Sequence, residues 1–129
     1  MKSFEELHIH HGEVSSEVQF LKKEVEFLLK ILRNCYSTSV KLEKIKLLDA
    51  YWKGFEQNIE KLNSLSEKIM HEEQGMAVLC QDGLIDFERT LFNEDNHLAK
   101  LRTIEKEVKL LKESFYEFMQ GCNACALKS

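Results

Sequence analysis

Residues 14–32 read VSSEVQFLKKEVEFLLKIL, and the spacing of their apolar positions decides the fold. Val14, Val18, Leu21, Val25, Leu28 and Leu32 recur at alternating steps of four and three residues. On a helix such steps return to the same face, so these side chains form one continuous seam of the kind that lines a bundle or coiled coil. Followed toward the N-terminus, the seam continues through His11, Leu7 and Phe4, which leaves one histidine where the pattern wants an apolar residue. Beyond Leu32 the run Arg33-Asn34-Cys35-Tyr36-Ser37-Thr38-Ser39 is rich in turn and cap residues and predicts the end of the first helix. Ser39 followed by Glu43, or Thr38 by Lys41, is an imperfect capping signal for the second.

Two further seams follow. The second runs Ile45, Leu48, Trp52, Phe55, Ile59, Leu62, Ser66, Ile69 and Glu73. Gly54 lies inside it, at a cost of about 1 kcal/mol relative to alanine. Gly75 and Asp82-Gly83 are its candidate stops, with the Asp-Gly pair favoured as the turn and residues 76–80 open between helix and loop. The third runs Phe87, Thr90, Glu94, His97, Leu101, Ile104, Val108, Leu111, Phe115, Phe118 and Cys122, with Gly121 as its end. Asn93, followed by Glu94 and Asp95, is a competing helix start, so a short extra helix over about 76–92 stays open. The expected fold is therefore all-α: an antiparallel up-down-up bundle of three long helices in one domain over 1–121, with a flexible tail over 122–129.

Composition agrees. The chain has 129 residues, 43% hydrophobic and 31% charged, and no proline, the strongest helix breaker. Its net charge of −4, with lysines and glutamates interleaved, argues against a nucleic-acid surface, which needs clustered cations. No apolar run approaches the roughly 20 residues that cross a bilayer. The opening Met1-Lys2-Ser3-Phe4-Glu5-Glu6 has no apolar leader core, and four cysteines without one are most simply reduced thiols, so the expected address is the cytoplasm.

The seams turn polar away from residues 33–39. Helix one carries His11, with His8 one turn earlier; helix three carries Glu94 and His97 on one face. Helix two offers Ser66 and Glu67, with His71 beyond. If helices one and three end together, His11 and His97 stand at the same height, and the helix-two partner falls between Leu62 and Lys68. Two imidazoles and a carboxylate facing inward are what a divalent metal such as zinc or iron wants, so His11, His97, Glu94 and His8 are the candidate ligands. The alternative is that these groups satisfy one another, or that this end of the bundle is wet. Left buried and unpaired they would cost several kcal/mol.

The residues His8-x-x-His11, then Glu17, Phe20 and Glu24, resemble the opening of a family of small bacterial helical proteins without an established activity. His97, Leu101-Arg102 and an ending with Phe115 and Phe118 resemble that family again. The resemblance covers helices one and three. Over helix two the family carries a further histidine near the position of Glu67, where this chain has histidine only at His71. It implies that His8, His11 and His97 act as a set.

Other features are blander. Glu5-x-x-His8 and Glu94-x-x-His97 match an element of di-iron carboxylate bundles, but those need four helices and mid-helix placement. Cys122-x-x-Cys125 has chelating spacing, with Cys35 expected at the same bundle end; against that stands a reduced, exposed tail. Trp52, Tyr51 and Phe55 read as core, His10 as solvated, and Glu72-Glu73 as a charged helix end. There is no phosphate loop and no nucleophile elbow. Phe20, Phe27 and Ile31 with Leu47 and Tyr51 exceed what a narrow seam requires, so either residues 76–92 or a second chain covers them. Two functional classes follow: a non-enzymatic interaction or scaffold bundle, dimeric through that stripe, or a divalent-metal-binding bundle for storage, sensing or stress tolerance.

Overall fold

The computed structural model describes the backbone of residues 4–38, 42–81 and 87–121, with side chains at 6, 8–37, 42–75 and 95–121. The expected class holds: three long helices and, among the described residues, no strand. Helix α1 spans Phe4–Thr38, α2 Leu42–Gln81 and α3 Phe87–Gln120. The 40 residues of α2 make a rod about 60 Å long. No helix among the described residues is long and apolar enough to cross a membrane.

The direction of each helix can be read from its contacts. Descending α1 from Tyr36 through Gln19 to His11, the partners on α2 climb from Asp49 through Ser66 to Glu73. Helices α2 and α3 also run oppositely, through Tyr51 with Ser114, Lys61 with Glu107 and Glu72 with His97. Glu17 with Arg102 and Glu24 with Lys112 then mark α1 and α3 as parallel. This is the up-down-up arrangement that short connections impose.

The α1 seam is buried as spaced, from His11 and Val14 through Val18, Leu21, Val25 and Leu28 to Leu32. It does not stop there. Cys35, the next seam position, is buried, and Tyr36 reaches Asp49 of α2, so the expected break at 33–38 is a last helical stretch. Ser37 donates to the Asn34 carbonyl at 2.8 Å, a bond its hydroxyl makes without leaving the helix. Gly75 likewise stops nothing: α2 continues to Gln81. Among the described residues of 76–92 there is no separate helix: 76–81 extend α2 and 87–92 open α3. The Asp82-Gly83 turn and the tail 122–129 lie outside the described residues. At the end of α3 the Gly121 amide donates to the Glu117 carbonyl at 3.2 Å.

Helix α2 lies against both neighbours, and its buried face is correspondingly wide. Leu48, Phe55, Leu62 and Ile69 are buried as expected, but Asn58 and Leu65 are buried where Ile59 and Ser66 were the seam positions. On α3 Met119 takes the place given to Phe118. Gly54 has a packing reason, because a Cβ there would meet Leu111 Cδ2 at 2.8 Å. The far end of the bundle's core is aromatic: Phe55 and Tyr51 both contact Phe115, with ring centroids 5.9 and 5.4 Å apart. Tyr51 donates to the Ser114 carbonyl at 3.1 Å.

The extra apolar stripe is narrower than expected. Ile31 is buried and Tyr51 is half-buried, both absorbed into the core as α1 and α2 pack. Phe20 and Phe27 remain 72% and 57% exposed, and Leu47 is exposed as well.

Candidate functional site

At the end of the bundle away from the α1–α2 connection, the three helices bring together two imidazoles from α1, two carboxylates from α2 and one imidazole from α3. His8 and His11 are three residues apart, hence one above the other on the same face of α1. Both turn Nδ1 toward Glu73: His11 Nδ1 donates to Oε2 at 2.6 Å, and His8 Nδ1 contacts Oε1. The neighbouring Glu72 faces the other way, and His97 Nε2 donates to its Oε2 at 2.7 Å. His11 and His97 are only 3% and 6% exposed, so these are charge-assisted bonds at the edge of a dry core. His8 stands at the surface, while Glu72 and Glu73 are half-buried. The hydrogen bonds set the tautomers: a neutral His11 carries its proton on Nδ1 and a neutral His97 on Nε2. The other nitrogen of His97, Nδ1, is buried without a hydrogen-bond partner.

The height argument for His11 and His97 holds, since the two rings bind adjacent residues of α2. Its helix-two term does not. The partners are Glu72 and Glu73, not Ser66 and Glu67; Ser66 instead accepts a bond from Gln19 at 3.3 Å, and Glu67 and His71 are exposed. The displacement follows from the true length of α1. Because α1 runs to Thr38 and α2 starts at Leu42, the fold-back point moves several residues along, and the level of His11 on α2 moves by about twice that amount. Glu73 was visible as the last position of the second seam, whereas Glu72 carries no signal beyond adjacency. His10 is half-buried rather than solvated. The Glu94 side chain and Cys122 and Cys125 lie outside the described residues; Cys35 is part of the core.

A cleft of about 290 Å³ opens beside the layer, lined by His8, His11, Gly12, Ser66, Ile69 and Glu73. A Cβ at Gly12 would meet nothing within 4 Å, so the cleft is open on that side. A larger groove of about 920 Å³ runs between α2 and α3, but its walls are surface lysines and glutamates. One pair, Lys61 with Glu107, is joined at 2.9 Å. Lys68 lies against Lys100 and lowers the pKa of that ammonium by hydrogen bonding and repulsion. That groove is lined by no imidazole or thiol, whereas the histidine–glutamate layer gathers three imidazoles.

As packed, the layer's nitrogens point at carboxylate oxygens, and among the described residues no three donors already surround a common centre as metal ligands do. No family model, curated protein or solved structure matches the chain.

Proposed function

We propose that this is a non-enzymatic helical-bundle protein of the cytoplasm that works by association, pairing the outer face of α1 with a second copy of itself. The observation that supports it is the pair Phe20 and Phe27. Two heptad-spaced aromatic side chains stand on one face, uncovered by α2 or α3. Leaving two phenyl rings in water forgoes a few kcal/mol of burial, and large exposed aromatics on a helix face mark contact surfaces.

Charge favours a second copy as the occupant. About the line through Phe20 and Phe27, Glu13, Glu17 and Glu24 lie on one flank of α1 and Lys23 and Lys30 on the other. Two copies packed in parallel about a two-fold axis along α1 set the acidic flank of each against the basic flank of the other, with Phe20 and Phe27 in the seam. An antiparallel pairing would set acid against acid and base against base. The contact is isologous, so it closes at a dimer.

Sedimentation equilibrium from about 10 μM to about 1 mM covers the affinities that a small two-helix interface supports. A dimer is expected, and Phe20→Glu with Phe27→Glu should yield a monomer of unchanged helical circular dichroism. A parent protein that stays strictly monomeric at high micromolar concentration overturns the proposal.

A further inference from the structure

We propose that His8, His11 and Glu73 form a binding site for one divalent transition cation, with zinc the foremost member of the class. His97 and Glu72 are the adjoining pair that holds the layer in place. The donors are of the right chemistry: two imidazole nitrogens and a carboxylate, from two helices, at the mouth of a water-accessible cleft. Both Nδ1 atoms are already within hydrogen-bond reach of the two oxygens of one carboxylate, so only a small opening separates the hydrogen-bonded arrangement from a chelate. A cation with ligand distances of about 2 Å needs its donors roughly 3 Å apart around it. His8 is exposed and Glu73 is half-buried, so these two side chains have room to rotate outward, while buried His11 is the fixed member. The fourth position faces the cleft and is left to water.

Protons and charge balance simply. Nδ1 of each ring gives up the proton it shares with Glu73. A neutral imidazole then carries its proton on Nε2, and a protonated one releases a proton to solvent. Glu73 supplies one negative charge directly and Glu72, next in the chain, a second at longer range. The layer is therefore electronegative when its imidazoles are neutral, which draws a cation rather than an anion. His97 is excluded from the ligand set because its Nε2 is held by Glu72 at 2.7 Å.

The test is titration of the metal-free full chain with zinc chloride by calorimetry, in a Cys122→Ser, Cys125→Ser background that removes the thiol pair as a competing chelator. Uptake of one cation per chain is expected. His8→Ala, a surface change that leaves the fold intact, and Glu73→Gln should each abolish it, whereas His97→Ala should leave the stoichiometry unchanged. Cobalt in place of zinc should give visible absorption without an intense thiolate band. The site is independent of α1 pairing, so the Phe20→Glu, Phe27→Glu chain should bind equally well. No uptake by the parent, or uptake indifferent to both His8→Ala and Glu73→Gln, overturns the proposal.

Discussion

His97 of α3 and Glu72 of α2 are joined at 2.7 Å, yet this bond satisfies only half of a buried ring. An acceptor or donor buried without a partner costs about 1–3 kcal/mol. Leucine fills a similar volume and brings no polar atom, and Glu72 is exposed enough to turn to water. His97→Leu should therefore stabilise the metal-free protein by about 1–2 kcal/mol. Urea denaturation in the presence of a chelator measures it; a loss of stability would mean that the ring is fully satisfied.

Asn58 invites a comparison within one helix. Its Nδ2 donates to the Gly54 carbonyl at 2.9 Å, but its Oδ1 is buried with no partner. In Asn58→Ala the lost bond and the removed orphan nearly offset each other, so the change should lie within about 1 kcal/mol of zero. Leu62→Ala, one turn further along the same buried face, should cost about 2–5 kcal/mol. Chemical denaturation of the two variants side by side should separate them clearly.

Gly54 lies directly beneath Leu111, the two touching across α2 and α3. Valine at 54 should push the half-buried Leu111 side chain aside and destabilise the protein by about 1 kcal/mol. The penalty should shrink in a Leu111→Ala background, because the clash is with that side chain. A double-mutant cycle showing no coupling would place the constraint elsewhere.

The Tyr36 hydroxyl donates to Asp49, and its pKa lies well above the usual phenol value, first through burial and then through that carboxylate. The unfolded chain ionises near the ordinary pKa of about 10. The bond's stabilisation is thus present in full below that pH and is lost as pH rises through the higher folded value. Tyr36→Phe should cost about 0.5–1.5 kcal/mol at neutral pH and flatten the alkaline fall in stability. Ultraviolet titration should show the Tyr36 phenol ionising only well above the ordinary phenol range.

Sequence spacing specified the α1 seam from His11 to Leu32, because its period of threes and fours leaves one register for the face turned to the core. It did less well on α2, where contact with two neighbours widens the buried arc and Asn58 and Leu65 are drawn in beside the simple line of threes and fours. The equal height of His11 and His97 was legible because both are counted along straight helices from comparable ends. Glu72 and Glu73 were not, because their height depends on where α1 stops. Turn-forming residues at 33–38 suggested too early a stop, since propensity yields to the tertiary contacts of Cys35 and Tyr36. Partner choice could not be read from spacing at all: two adjacent glutamates look like surface charge until α1 and α3 stand on either side of them.

The core changes character along the rod, from interlocked rings around Phe115 to a few hydrogen bonds around His11 and His97. Apolar contact is lost only when helices part, whereas a hydrogen bond can be exchanged with water one at a time. The molecule should therefore have a slow end and a fast end. Amides near Tyr51 and Phe115 should exchange with deuterium only through global unfolding, while those flanking His11 and His97 should do so through smaller, more frequent openings. A cation that grips the histidine end would act on the part of the rod expected to open most often, and would have the most motion there to arrest.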